Sequence, residues 1–220
     1  MSTVSPDRRD PQQVFFDARA ETWEATCYPP EVRGRLPGLV ADFGLPPGAR
    51  VLDLGTGTGV LYPYLSAALG PAGAVIALDI SHAMLRMARH KPPGVPAAHI
   101  QATALALPLV DGCCDRVVCF AAFPHFNDPA QALAEMVRVT RPGGEVLIAH
   151  LLSRDELRDH HAKHQAVARD VLPTDEVMTA LFVAVGLTVP DIVDRPGRYL
   201  ARAWRSPQGQ DHHHEHQRPV

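Results

Sequence analysis

Val51-Leu-Asp-Leu-Gly-Thr-Gly-Thr-Gly59 is the stretch that decides the fold. Val51, Leu52 and Leu54 form a short apolar run, as a parallel strand buried on both faces requires. Asp53 sits near the carboxyl end of that strand. Gly55, Gly57 and Gly59 supply a turn without Cβ atoms, so backbone can lie against a ligand. Residues 60–69 read as an amphipathic helix whose N-terminus faces the turn. Strand, glycine turn and helix make a nucleotide-type site at the edge of an open α/β sheet.

The glycines run G-x-G-x-G, not the G-x-G-x-x-G of dinucleotide folds, so the later order carries more weight. Ala74-Val-Ile-Ala-Leu78 is a second apolar strand that ends in Asp79. A carboxylate there can accept hydrogen bonds from both hydroxyls of a ribose. Strands are expected near 50–55, 74–79, 97–101, 115–121 and 144–150, alternating with helices as in a doubly wound parallel sheet. Two more, near 187–194 and 198–205, are separated by Pro196-Gly197 and suit an antiparallel hairpin. The insert 151–186 is expected to hold two helices divided at Leu172-Pro173, with Thr174 as N-cap and Gly186 as the residue after the C-cap. Residues 14–27 read as one helix, a cover for the site or an ordinary docking helix. A helix near 31–43 is interrupted near Pro37. Residues 1–12 and the histidine-bearing tail 206–220 read as disordered, leaving one domain over 13–205.

The series of motifs resembles the class I S-adenosylmethionine-dependent methyltransferases, in particular the small-molecule ubiquinone/menaquinone-type (methyltransferase type 11) group. The resemblance is carried by Phe16-Asp-Ala-Arg-Ala-Glu-Thr-Trp23, Leu52-Asp-Leu-Gly-Thr-Gly-Thr-Gly59, Asp79-Ile-Ser-His-Ala-Met-Leu85, Leu107-Pro-Leu-Val-Asp-Gly-Cys-Cys-Asp115, Phe123-Pro-His-Phe-Asn-Asp-Pro129 and Arg138-Val-Thr-Arg-Pro-Gly-Gly144. It implies a seven-stranded Rossmann-like sheet with an antiparallel last strand, S-adenosylmethionine as cofactor and a small-molecule methyl acceptor. It also implies that Asp53, Gly55, Thr56, Gly57 and Gly59 hold the methionine end. Asp79 would bind the ribose, Ile80 and Met84 flank the adenine, and Thr103 and Ala104 cover its edge. Where the group commonly has an acidic residue for the adenine amino group, this chain has Thr103, which accepts a hydrogen bond without charge assistance. By the same resemblance the segment 14–28 is a lid.

Composition narrows the classes. At 220 residues, 46% of them hydrophobic, one ordinary domain with a full core is expected. A net charge of −3 with no long basic block argues against a nucleic-acid partner. No apolar run approaches the roughly 18 residues of a membrane span. The polar start lacks a signal-peptide core, so the expected compartment is the cytoplasm. Cys27, Cys113, Cys114 and Cys119 make no C-x-x-C pair and read as reduced thiols.

Ligands of open α/β sheets bind beyond the carboxyl ends of the strands. That rim gathers Phe123, His125 and His150, with Phe16 and Tyr28 from the lid as further acceptor contacts. His125 and His150 are the candidate bases, because imidazole titrates near neutral pH. The bland alternative for each is a histidine bonded to backbone. His160 and His164 are four apart and share a helix face, so with His150 they could ligate a metal. Two rival functions follow: a metal-linked protein using that rim, and a cofactor-binding protein without catalysis.

Overall fold

The computed structural model describes residues 10–91, 94–162, 167 and 170–207. Four short helices come first: α1 (Pro11–Asp17), α2 (Trp23–Cys27), α3 (Pro30–Arg33) and α4 (Leu36–Asp42). Strand and helix then alternate through β1 (Arg50–Leu54), α5 (Tyr62–Leu69), β2 (Ala74–Asp79), α6 (His82–Arg89), β3 (Ala97–Gln101) and β4 (Cys114–Phe120). A 3₁₀ turn, Phe123–His125, leads to α7 (Pro129–Val139) and the long β5 (Thr140–His150). The helices α8 (Arg154–His161) and α9 (Asp175–Ala184) precede a hairpin of β6 (Asp191–Arg195) and β7 (Arg198–Trp204).

The sheet order is β3-β2-β1-β4-β5-β7-β6. The first five strands pair in parallel, and β7 is antiparallel to both β5 and β6. The order reverses between β1 and β4, which is where such folds open a ligand crevice. Side chains alternate between two cores, as the two-residue strand period requires. Val51, Val118 and Leu147 face one core with Leu39 and Leu65. Leu52, Val117 and Val146 face the other with Met136 and Phe182. Both faces being buried, the strands read as continuous apolar runs.

Caps place the helices. Asp128 accepts from the Gln131 N–H at 3.0 Å and so starts α7. Ser153 and Glu156 form a capping box on α8. Thr174 caps α9 and Gly186 (φ +84°) follows its end, as the sequence indicates. The interruption near Pro37 is the break between α3 and α4, with the proline in the first turn of α4.

Three elements differ from expectation. β6 starts at Asp191, not near 187, since Leu187 makes only an isolated bridge to Arg205. β5 begins at Thr140, before the expected 144, because Thr140 pairs with Cys114 across a register shift. The shift is accommodated by Gly144, where a Cβ would lie 2.8 Å from the Asp115 carbonyl oxygen. The single helix expected over 14–27 is two helices joined through residues 18–22. α1 starts early because Asp10 caps it, accepting from the Gln12 N–H at 2.8 Å. It stops at Asp17, whose carboxylate is drawn away to Ser81 Oγ at 2.5 Å and the Ala83 N–H at 3.2 Å.

Gly55 is the tightest point of the fold near the switch. Its φ is +73°, and a Cβ there would lie 2.3 Å from Ala122 Cβ. We expect Gly55→Ala to cost about 2–5 kcal/mol, combining left-handed strain with overpacking. A melting temperature lowered by less than about 3 °C would show that β1 and the β4 turn are not packed this tightly.

Candidate active site

Two cavities adjoin at the carboxyl ends of the strands. The first is floored by the glycine turn (Gly55, Thr56, Gly57 and Thr58) and walled by Asp79, Ile80 and Met84. Ala102, Thr103, Ala104 and Leu105 form its far edge, and Gln12, Phe16, Trp23 and Tyr28 roof it. The sequence-predicted residues Ile80, Met84, Thr103 and Ala104 therefore stand together, although they come from three separate connections. Thr103 Oγ1 already accepts the Leu105 N–H at 3.2 Å.

The turn is held by backbone donors aimed at β2. The N–H groups of Gly55 and Thr56 both reach the Leu78 carbonyl, at 2.8 and 3.0 Å. The Gly57 N–H donates to Asp79 Oδ2 at 2.8 Å. Gly57 has φ +55° and nothing within 4 Å of where a Cβ would stand, so the space above it is open. Gly59 (φ +74°) is different: its missing Cβ would press on the Tyr62 ring, so it serves packing below the turn.

Asp53 does not line the cavity. It is buried beneath the turn, accepting from Thr56 Oγ1 at 2.6 Å. Burial pushes its carboxyl up to about 7, opposed by the Thr56 bond and reinforced by the charge of Asp79. Asp79 accepts a second bond from the Ser81 N–H at 2.8 Å. Burial pushes it up to about 6, while the Ser81 and Gly57 donors pull the other way. Neither carboxylate is in an ion pair among the described residues. Two destabilised anions beside an open glycine cradle suit a ligand that brings an ammonium, a sulfonium and ribose hydroxyls.

The second cavity lies between the α1–α3 segment and the ends of β4 and β5. Its histidines are His125, His150, His160 and His161, and its apolar wall includes Trp23, Val32, Phe120 and Leu157. Trp23, Tyr28, Phe120, Ala121 and His125 line both cavities. Ala121 has φ +53°, the one non-glycine residue in that region among the described residues. Phe16 roofs the first cavity and stacks edge-on at 5.3 Å from the His125 ring. Phe123, an expected acceptor contact, lines neither cavity. Its ring is 1% exposed in the core beneath, because the 3₁₀ turn rotates it inward against Phe126.

The two candidate bases differ. His150 Nδ1 accepts the Leu152 N–H at 2.9 Å, so the neutral ring carries its proton on Nε2. Burial, with His161, His125 and His160 nearby, pushes its pKa down to about 3. This corrects the expectation of a base: at neutral pH His150 is a hydrogen-bond donor. His125 Nδ1 lies 2.6 Å from Asp170 Oδ2. Its backbone carbonyl accepts from Gln12 Nε2 of the lid. Asp170 carries no motif and lies 45 residues from His125 in sequence. No sequence signal marks it. His161 Nδ1 bonds the Asp170 carbonyl, and burial pushes its pKa down.

Among the described residues no group of three or more His, Cys, Asp or Glu side chains could hold a metal ion. His160 borders the second cavity, whereas His164 and the histidines of the tail lie outside the described residues. No described helix is long and apolar enough to cross a membrane.

Architecture and crevice together define a class I nucleotide-cofactor fold with a second cavity against the cofactor cavity. Residues 52–148 match the family model described as "Methyltransferase domain". Over this region the chain is similar to S-adenosylmethionine-dependent methyltransferases of the ubiquinone/menaquinone type. It is 38% identical over 154 residues to a demethylmenaquinone methyltransferase of Renibacterium salmoninarum, covering 68% of this chain and 62% of the relative. It is 38% identical over 109 residues to a ubiquinone/menaquinone biosynthesis C-methyltransferase of Pasteurella multocida, covering 48% of this chain and 41% of the relative. The matched segment thus spans less than two-thirds of either relative's length. A solved S-adenosylmethionine-dependent methyltransferase from Aquifex aeolicus shares the fold, with a TM-score of 0.69 at 24% identity, covering 86% of this chain and 98% of that one.

The raised carboxyls carry a signed pH dependence. Folded Asp53 and Asp79 hold protons that the unfolded chain releases near pH 4. Their contribution to stability is full below that pH and is lost as pH rises through about 6 and 7. A cationic ligand favours the ionised forms, so S-adenosylmethionine, with its sulfonium, should bind more tightly as pH rises from 5 to 8, with proton release. Calorimetry in buffers of different ionisation enthalpy reads this directly. An affinity flat across that range, in the wild type as in Asp53→Asn, would refute the assignment.

Proposed function

We propose that this chain transfers the methyl group of S-adenosylmethionine to a small organic acceptor seated in the histidine-lined cavity. The observation that carries the reading is the meeting of the two cavities at Tyr28, Ala121 and His125. A methyl group crossing from donor to acceptor needs such a contact, because displacement at carbon is in line.

The glycine turn holds the methionine end with the charge of Asp53 beneath it, and Asp79 takes the ribose. Ile80 and Met84 flank the adenine, and Thr103 with Ala104 closes its edge. S-adenosylmethionine supplies an already activated methyl group. The chain's own residues therefore align the acceptor and keep water out, under the roof of Phe16 and Trp23. The second cavity, with aromatic and apolar walls, suits an aromatic acceptor. A quinone-type ring would match the printed activities of the relatives. Among the described residues the rim forms no basic stripe for nucleic acid. The free thiols suit a reducing, cytoplasmic setting.

The test is formation of S-adenosylhomocysteine by the full chain with reduced naphthoquinones and substituted phenols as probes. Tight cofactor binding without turnover on any probe would favour the non-catalytic reading. Absence of binding would overturn the proposal. Asp79→Ala removes two charge-assisted bonds to the ribose, each worth roughly 1.5–3 kcal/mol. Its affinity for S-adenosylmethionine should fall tenfold or more. Unchanged affinity in calorimetry would remove Asp79 from the ribose site.

A further inference from the structure

The acceptor cavity holds two imidazoles whose hydrogen-bonding sense is fixed by different means. His150 receives the Leu152 N–H on Nδ1 at 2.9 Å, which leaves its proton on Nε2. His125 faces the Asp170 carboxylate with Nδ1 at 2.6 Å. A carboxylate only accepts, so the proton of that bond belongs to Nδ1, and in the neutral ring Nε2 keeps its lone pair. Among the described residues no hydrogen bond engages His125 Nε2. Both rings border the second cavity, and His125 also borders the first.

We propose that Asp170 is a positioning residue that makes His125 Nε2 the proton-accepting wall of the acceptor cavity, opposite in sense to the donating Nε2–H of His150. The cavity then takes an acceptor with an ionisable O–H or N–H toward His125 and a hydrogen-bond-accepting atom toward His150. During transfer the bond from the acceptor atom to the methyl carbon forms as the carbon–sulfur bond breaks, its electron pair going to sulfur. The acceptor's proton passes to His125 Nε2, and the imidazolium is paired with Asp170. Asp170 also ties His161 Nδ1 through its carbonyl, so one residue fixes two rings of the rim. The direction of proton transfer rests on the function proposed above. The assignment of ring protons does not.

The test reads tautomers with neither cofactor nor acceptor. Long-range ¹H–¹⁵N correlation spectra of histidine-labelled protein at pH 8, assigned with His125→Gln and His150→Gln, separate Nδ1–H from Nε2–H rings. We expect His125 as the Nδ1–H form and His150 as the Nε2–H form. Asp170→Asn can present its amide N–H to Nδ1 and should convert His125 wholly or largely to the Nε2–H form. Its affinity for S-adenosylhomocysteine should stay within about twofold of wild type, which also shows that the variant is folded. An Nε2–H His125 in the wild type would overturn the proposal, whether or not the variant folds. So would an unchanged His125 signal in folded Asp170→Asn. Because S-adenosylhomocysteine binding and turnover are measured separately, failure here is distinguishable from failure of the methyltransferase reading.

Discussion

Three successive N–H groups after β1 point at the end of β2, and the site depends on that arrangement. Gly55 and Thr56 donate to the Leu78 carbonyl and Gly57 to the Asp79 carboxylate. The turn is thereby locked to the neighbouring strand before any ligand arrives. Left-handed backbone at Gly55, Gly57 and Gly59 is what turns these donors to one side. The same turn covers Asp53, removing it from water, and that burial raises its proton affinity. Two carboxyls are thus kept close together in a place where neither ionises easily. A cationic ligand relieves both at once, which links backbone geometry directly to ligand charge.

At the other side of the switch, the chain leaves β4 through Ala121, whose φ of +53° is uncommon for a residue with a side chain. Its N–H still reaches the Ala149 carbonyl at 2.8 Å, so strand pairing holds the strained residue in place. A methyl side chain there leaves room where the two cavities meet. A larger residue would both strain the backbone further and narrow the passage. The local cost is of the order of 1–3 kcal/mol, borne by the β4–β5 pairing.

Much of this was legible in the sequence, and for identifiable reasons. The strands were legible because a strand buried on both faces must be largely apolar, as Ala74 to Leu78 is throughout and Val51 to Leu54 is but for Asp53. Asp79, Ile80 and Met84 were legible because the carboxyl end of a strand and the helix after it are fixed by chain order. What failed needed tertiary contacts. The lid breaks at Asp17 because Ser81, 64 residues away, captures its carboxylate. Phe123 turns inward because a three-residue 3₁₀ turn, invisible to apolar periodicity, sets its direction. His150 is a donor because of one N–H two residues further on, and Asp170 enters the rim by a contact with no sequence signal.

The lid shows how these levels combine. α1 contributes no buried residue to either core. It is held by Asp17 on Ser81 and the N-terminus of α6, by Gln12 on the His125 carbonyl, and by Phe16 against Trp23 and His125. A segment that buries so little opens at a small fraction of the global unfolding free energy. Yet most of these contacts end on the helix after Asp79, the turn carrying His125, or the ring of His125 itself. α1 thus joins the cover of the first cavity to the placement of the His125 turn through one small contact surface, while the glycine turn beneath is held separately by its own bonds to β2.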